Sequence, residues 1–366
     1  MSRPAMRPNA RRPEMSREAI RLVALGASTA LGRDAWASAA AVRAGICGFT
    51  QHPYMTDTVG EPMRAAVAPW LDIDLSGVER FEALLFPAID QALIPLADGR
   101  AGPVRIALSL GLPAPRPGLA EDLQAALVKS LWAKYRPLFS AVAAFPNGHA
   151  AGVLALDAAM SKLAQGAFDA CVVAGVDSYI EPETLEWLEE NEQLHGAGAQ
   201  NNAWGLIPGE GAGALLLMRD GFSRKTQLAA LASVVGVGTA FEPKRIKSET
   251  VCLGEGLTQA FQGALEALPS GEKVTDVYCD MNGEAYRGDE YGLTCLRTGE
   301  AFASAADFIA PADCWGDVGA AGAPLHLMLA AIAGAKGYAK GQTALAWASA
   351  EGGERGAALM TFAVGA

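Results

Sequence analysis

The sequence lacks several features that would assign it to a class directly. Its longest apolar stretches, such as residues 320–335, are interrupted by Gly, Pro or His and are shorter than the ~20 residues of a membrane-spanning helix. Its six cysteines include no Cys-x-x-Cys pair, and no Gly-x-Gly-x-x-Gly opens a predicted helix. The 29 Lys and Arg are outnumbered by 40 Asp and Glu, whereas a nucleic-acid surface is basic. We therefore expect no membrane span, no metal or cofactor, and no nucleic-acid partner.

Residues 1–17 contain five Arg and three Pro but no apolar block, so they do not resemble a secretory signal. We interpret them as a disordered tail. Scattered cysteines without such a signal favour a reducing cytoplasm. The chain of 366 residues, 51% of them hydrophobic, is long enough for two domain-sized cores or one large duplicated core.

Predicted strands and helices alternate along the chain, and the pattern occurs twice, over 18–222 and 223–366. The first predicted helix runs from Asp34, its N-cap, to Arg43. Each half contains a helix of small residues and ends in a Gly-rich turn before an apolar strand; these features begin at Gly148 and Gly209, and again at Gly319 and Gly352. Because Gly and Ala allow close backbone approach, the pattern predicts sheets that sandwich a central pair of helices. The alternative is two unrelated α/β domains.

Three motifs occur in order: Gly209-Glu-Gly-Ala-Gly213 before Ala-Leu-Leu-Leu, Gly316-Asp-Val-Gly-Ala-Ala-Gly-Ala323, and Gly352-Gly-Glu-Arg. Together with their surroundings, over about residues 18–364, they resemble the β-ketoacyl synthases, the condensing enzymes of the thiolase superfamily. The resemblance implies a thiolase-like, five-layered α-β-α-β-α sandwich of two pseudo-symmetric halves. It also implies a homodimer or heterodimer that pairs through a strand near Ser140.

The chemistry of that family requires a cysteine at the start of the first small-residue helix and two histidines from the second half. The family pattern places Ala144, Asn282 and Gly316 at these three positions. It also places Pro311 where the family has a lysine and Glu351 where it has a gating phenylalanine. Since alanine cannot accept an acyl group, the resemblance implies that no residue carries out ordinary condensation.

Polar residues remain near these positions, at predicted strand ends and helix starts that should converge. The candidates for a ligand pocket are His149, Asp280, Asn282, Glu284, Asp313, Cys314, Trp315, Asp317, Glu351 and Glu210. Three interpretations stay open: a relocated nucleophile, with Cys314 as the thiol and His149 as its base; a site for a noncovalent ligand; and a structural polar cluster. The Glu210 carboxylate is equally well explained as a buried group bonded to local amides.

The acidic segment 181–192 carries Trp187 and Leu188 among its glutamates. It is typical of a solvated helix face. The alternative is a patch that binds a partner, since an aromatic anchor surrounded by charge suits a docking surface.

The motifs Cys279-Asp-Met-Asn-Gly-Glu284 and Pro311-Ala-Asp-Cys-Trp-Gly-Asp317 are also similar to thiolase-like proteins encoded near bacterial type VI secretion components. That resemblance implies an adaptor in effector loading, with a secretion-related protein or an acyl carrier protein as partner. We favour such a catalytically silent binding protein. Two alternatives are an accessory subunit similar to chain-length factors and an acyltransferase or condensing enzyme with a rebuilt site.

Overall fold

A computed structural model describes residues 19–97, 103–245, 248 and 250–362; the predicted tail, residues 1–17, lies outside them. The strands are β1 (Ile20–Thr29), β2 (Thr50–Thr56), β3 (Pro62–Ala65), β4 (Ile106–Gly111), β5 (Phe139–Phe145), β6 (Ala170–Ser178), β7 (Glu210–Arg219), β8 (Ala232–Phe241), β9 (Asp276–Cys279), β10 (Phe308–Ile309), β11 (Thr343–Ser349) and β12 (Glu354–Thr361). The α-helices are α1 (Ala35–Arg43), α2 (Gly77–Leu93), α3 (Leu123–Tyr135), α4 (Ala151–Ala164), α5 (Pro182–Glu190), α6 (Asp220–Thr226), α7 (Glu255–Leu265), α8 (Ala285–Thr298), α9 (Ala312–Trp315) and α10 (Gly322–Ala335).

Ten strands form one mixed sheet in which a five-stranded order occurs twice. The first half has the order β5-β4-β6-β7-β1, and the second has the equivalent order β10-β9-β11-β12-β8. In each half the last strand, β7 or β12, runs antiparallel to both of its neighbours, while the other pairs are parallel. The two halves meet where β1 pairs with β8, from Ile20 opposite Val234 to Leu22 opposite Ala232. The proposed division after residue 222 falls within α6, between these two repeats.

Helices cover the sheet in layers, and the two small-residue helices form the middle layer. Helices α4 and α10 contact each other and strands of both halves, while α2 and α3 pack outside the first half and α7 and α8 outside the second. The central helices approach so closely that a Cβ atom on Gly152 would lie 2.5 Å from Pro324 Cδ. The two halves of the sheet thus lie on either side of α4 and α10 as two β layers, which gives the thiolase-like α-β-α-β-α sandwich that the sequence predicts.

The local elements agree with the sequence pattern in most places and differ in a few. Asp34 caps α1 as predicted, because its Oδ1 accepts hydrogen bonds of 2.9 Å from the backbone N–H groups of Trp36 and Ala37. The segment 46–79 is mostly loop with two short extended pieces, β2 and β3, which pair as a hairpin, and the short helix α6 directly follows β7. Among the described residues, no helix is long and apolar enough to cross a membrane.

Candidate functional site

The carboxyl ends of β5, β9 and β11 lead into one polar region at the start of the two central helices. The chain leaves β5 at Phe145 and turns into α4 through a single 3-10 turn, Gly148–Ala150. It enters α10 through the equivalent turn Gly319–Ala321, which follows Asp317. Parallel α/β sheets generally bind ligands at this edge. The region therefore lies where the sequence places the candidate pocket.

His149 lies at the start of the first central helix. Gly148 precedes it with φ of 59°, a left-handed conformation that glycine adopts without strain, and this turn directs the His149 side chain into the protein, where it is 6% exposed. Ala144 was predicted to hold this position, and that prediction is wrong. Ala144 lies inside β5, and its side chain packs with the outer core of the first half, on the α2 and α3 side of the sheet.

Asp317, and not Gly316, provides the side chain at the start of the second central helix. Gly316 has φ of 73°, and a Cβ atom there would lie 2.8 Å from the carbonyl oxygen of Ile207, so the predicted family position has no room for a side chain. Both carboxylate oxygens of Asp317 lie 2.9 Å from His149 Nε2. The amide N–H of Gly319 donates to Asp317 Oδ1 at 2.8 Å and fixes the carboxylate.

Asn282 joins this pair to a second set of charges. Its Nδ2 donates to Asp317 Oδ2 and, at 2.9 Å, to Glu284 Oε2. Arg287 then donates from Nε to Glu284 at 3.2 Å and from Nη1 to Asp280 Oδ2 at 2.8 Å. The structure therefore brings together five predicted site residues, His149, Asp280, Asn282, Glu284 and Asp317, around a buried Arg287.

The close pairing of charges fixes their protonation. Burial disfavours a charged imidazole, but the Asp317 carboxylate outweighs this effect and raises the pKa of His149 above its ordinary value. Burial also disfavours the Asp317 carboxylate, yet His149 and Arg287 hold the pKa of Asp317 well below its usual range. The raised pKa favours the protonated imidazole, in which the Nε2–H donates a hydrogen bond to Asp317. Arg287 Nη2 lies 3.1 Å from His149 Nε2. Because a protonated Nε2 cannot accept a hydrogen bond, Arg287 is then a neighbouring cation, and the surrounding carboxylates hold it in place.

Two cavities adjoin His149. The inner one, between His149, Asp280, Asn282, Trp315 and Asp317, has a volume of about 10 Å³, which is about the space of one water. The outer one has a volume of about 330 Å³ and opens beside His149. Its lining is mixed, with an arginine, two glutamates and two aromatic rings: Arg116, Glu351, Glu354, Tyr179 and Trp187. Glu351 was predicted here, and Gln193 connects it to the inner network by donating to both Glu351 and Glu284.

The remaining candidates do not join the network. Asp313 is exposed, and the backbone oxygen of Cys314 accepts a hydrogen bond from Gly48 N at 2.8 Å. Burial, together with Asp313, raises the pKa of the Cys314 thiol. None of the six cysteines, all of which are described, lines either cavity beside His149. The relocated pair of Cys314 and His149 therefore has no geometric support.

Glu210 belongs to a separate buried ion pair. Its carboxylate accepts two hydrogen bonds from Arg80, at 2.6 and 2.7 Å, one from Ser178 Oγ at 2.8 Å, and one from Ala68 N at 2.8 Å. Both side chains of the pair are almost completely inaccessible. Glu210 is thus a structural carboxylate, although its main partner is a side chain and not the local amides that the sequence suggested.

Potential metal ligands come together elsewhere, at Glu242, Cys252 and Glu290, whose ligand atoms lie within 4.8 Å of one another. Glu290 accepts from Arg355 Nε at 2.6 Å and from Ser349 Oγ at 2.9 Å. Glu242 accepts from the backbone N–H groups of Lys244 and Gly256. All four carboxylate oxygens of Glu242 and Glu290 therefore already accept hydrogen bonds, and the Arg355 guanidinium balances the charge of Glu290.

Sequence reasoning missed the partners that hold the network. Arg287 was not among the predicted site residues, and neither its contact with Asp280 nor its burial was anticipated. Its spacing from Glu284, three residues along a helix, was the available signal. Gln193 and Arg116 had no such signal, because the residues they bind, Glu351 and Asp177, are 158 and 61 positions away.

A profile of the N-terminal domain of β-ketoacyl synthases matches residues 147–221, which begin at the turn before His149. Solved structures match nearly the whole chain. The chain has the fold of the β-ketoacyl synthases. One such structure is a type II polyketide synthase acyl-carrier protein in complex with its ketosynthase, at 13% identity and a TM-score of 0.79 over 95% of this chain and 100% of the other.

Two other solved structures are also similar to this chain. The ketosynthase from module 6 of the bacillaene synthase of Bacillus subtilis 168 is 13% identical, with a TM-score of 0.77 over 95% of this chain and 73% of that chain. The ishigamide ketosynthase/chain length factor is 16% identical, with a TM-score of 0.76 over 95% of this chain and 100% of the other. No curated protein matches the sequence.

Proposed function

We propose that this protein keeps the ketosynthase fold without its condensing chemistry and acts as a noncovalent binding component. The observation that carries the proposal is the closed network at the start of the central helices. We assign His149, Asn282 and Asp317 to the places where the family has a thiol and two imidazoles, because they lie at the starts of the two central helices and after β9. They bind one another, and no cysteine is among the described residues that line the 330 Å³ cavity.

The electrostatics support the same conclusion. Condensation in that family needs neutral or cationic donors that stabilise an enolate as charge develops. Here an anionic carboxylate, Asp317, stands between the donors, and both His149 and Asn282 are already bonded to it. An incoming enolate would meet the negative charge of Asp317, and the His149 Nε2–H and both Asn282 amide hydrogens are already bonded to carboxylates. The internal hydrogen bonds would have to break before any substrate oxygen could replace them.

The test is a condensation assay with malonyl and acetyl thioesters of coenzyme A and of acyl carrier protein. The wild-type chain and the His149→Cys variant, which places a thiol at the helix start, are compared with an active ketosynthase. We expect no release of carbon dioxide above the uncatalysed rate from either form. Release from the wild type at a rate comparable with the active enzyme would overturn the proposal. Release from His149→Cys alone would show that Asp317 and Asn282 support enolate formation.

The partner surface that we propose is the edge strand β5. It pairs with β4 on one side and has no neighbouring strand on the other among the described residues. Ser140 and Ala143 on this strand are exposed. Unpaired edge strands associate readily with strands of another chain. We therefore propose dimerisation through β5, with a second copy or with a related subunit.

Light scattering after size-exclusion chromatography tests this surface. The variant Ala143→Glu would bring two carboxylates together in a homodimer, and like charges across a strand pair destabilise it. We expect a dimer for the wild type and a monomer for the variant. The control Ala37→Glu, on the exposed face of α1, should remain dimeric. A monomeric wild type would exclude the homodimer, and a dimeric Ala143→Glu protein would exclude the β5 interface.

Two more specific roles follow as proposals. The sequence resemblance supports an adaptor role in type VI secretion effector loading, which predicts co-purification with components of a type VI secretion system. The structural likeness to a ketosynthase/chain length factor supports an accessory subunit in a heterodimer. Glu351 and Glu354 at the 330 Å³ cavity disfavour the second role, because an acyl chain entering there would pass two carboxylates.

A further inference from the structure

A third cavity, an open groove of about 600 Å³, lies between α1 and the C-terminal end of α10, apart from the His149 site. Trp36 and Ala40 line it from one face of α1, where they are four residues apart, and Ile332 lines it from α10. The ring of Tyr338 completes this apolar wall. The volume is in the range of small-molecule sites, about 300–1,000 Å³. The cavity can therefore hold the apolar body of a small ligand.

Two cations lie over the aromatic rings of this cavity. The guanidinium carbon of Arg43 is 4.0 Å from the centre of the Tyr338 ring, and Lys336 Nζ is 4.9 Å from the centre of the Trp36 ring. Throughout the described ranges, neither cation has a carboxylate partner or donates a side-chain hydrogen bond. The lining contains no Asp or Glu. In a chain of net charge −11, two unpaired cations at one apolar cavity form a local positive site.

The position of the two residues at helix ends does not explain this arrangement. Basic residues near a helix C-terminus commonly interact with the last carbonyl groups of their own helix. Here the two side chains reach across to the other element. Arg43 of α1 covers Tyr338, which follows α10, and Lys336, which follows α10, covers Trp36 of α1. Each charged group is therefore held at a ring that lines the cavity.

We propose that this cavity binds a small amphipathic anion, with an apolar body and one carboxylate headgroup. The apolar body would pack against Trp36, Ala40 and Ile332, while the headgroup would accept hydrogen bonds from Arg43 and Lys336. A guanidinium and an ammonium together suit a carboxylate, and binding would supply the charge partner that both lack. This site does not depend on the proposed function of the His149 region.

Calorimetric titration of the full chain with octanoate tests the site, and 1-octanol, which has the same chain length without the charge, is the matched ligand. We expect octanoate to bind one site on the wild type. Arg43→Gln and Lys336→Gln should each weaken the binding of octanoate about tenfold, because each removes one hydrogen bond from a charged group to the carboxylate. Neither substitution should change the binding of 1-octanol. Trp36→Ala should weaken both ligands. The control Arg33→Gln, which removes a cation over the ring of Trp70, should change neither.

No binding of octanoate, or equal binding to the wild type and both glutamine variants, would show that the two cations do not form a site. Melting curves establish that each variant is folded. If Arg43→Gln does not fold, the wild-type protein still decides the question by NMR. The indole N–H resonance of Trp36 must shift on addition of octanoate, and an unshifted resonance contradicts the proposal.

Discussion

His149 Nε2 lies 2.9 Å from both carboxylate oxygens of Asp317, 168 residues further along the chain. The two residues open the two central helices, one from each half of the duplicated fold. This ion pair therefore connects the two halves at the place that we propose to be equivalent to the reacting groups of a condensing enzyme. A buried pair of this kind stabilises the fold and at the same time occupies the site.

Removal of one partner of this pair should be costly. His149→Ala leaves Asp317 buried beside Asn282 without its imidazolium, and loss of one partner from a buried pair typically costs about 3–5 kcal/mol. We expect a decrease of that size in the free energy of unfolding, measured with urea. Asp313→Asn, an exposed aspartate nearby, should have almost no effect. If His149→Ala costs less than about 1 kcal/mol, the pair does not contribute as described.

The pH dependence of stability should identify the charged His149. Because its folded pKa is raised, its contribution is fully present below the ordinary histidine value of 6.5 and is lost as pH rises through the higher folded pKa. The contribution of His326 to stability changes with pH in the opposite direction. Burial lowers the pKa of His326 to about 3, so its contribution to stability is lost as pH falls below 6.5. We expect stability to decline from about pH 7 upward in the wild type and not in His149→Gln. Unfolding curves between pH 6 and 9 measure the difference, and equal slopes in the two proteins would refute a charged His149.

The packing of the central helices predicts opposite effects at two helical glycines. A Cβ atom at Gly152 would lie 2.5 Å from Pro324 Cδ and 3.0 Å from Ala323 Cβ. Gly152→Ala should therefore destabilise the protein by about 1–3 kcal/mol through overpacking. Gly292 lies in α8 with open space around it, so Gly292→Ala should stabilise by about 0.5–1 kcal/mol. Thermal melts of the two variants check this, and a stabilised Gly152→Ala protein would mean that α4 and α10 are further apart.

The fold could be predicted from the sequence because its signals are local and repeated. The alternating pattern, the two small-residue helices and the cap at Asp34 each depend on a few neighbouring residues. Ala144 was placed by the spacing of the family pattern, although the sequence already predicted a helix from Gly148. The structure extends β5 to Phe145, so Ala144 lies inside the strand and His149, five residues later, lies at the start of the helix.

The charge network could be predicted only in part, for a related reason. Asp280, Asn282 and Glu284 are close in sequence, and their convergence with His149 and Asp317 was expected from the strand ends. The Arg287 contact with Asp280 and the Gln193 link to Glu351 depend on tertiary packing. Whether a polar cluster is open to a ligand or closed on itself is determined by such partners, so the sequence left both interpretations open.

Intact-mass spectrometry after incubation with an acyl thioester tests the central claim most directly. The wild-type chain is incubated with acetyl coenzyme A and with acyl carrier protein charged with an acyl group, beside an active ketosynthase that forms an acyl adduct. We predict that the mass of the wild-type chain does not change, because no thiol lines either cavity beside His149. A stoichiometric acyl adduct that is lost in Cys314→Ala or in His149→Ala would contradict the account.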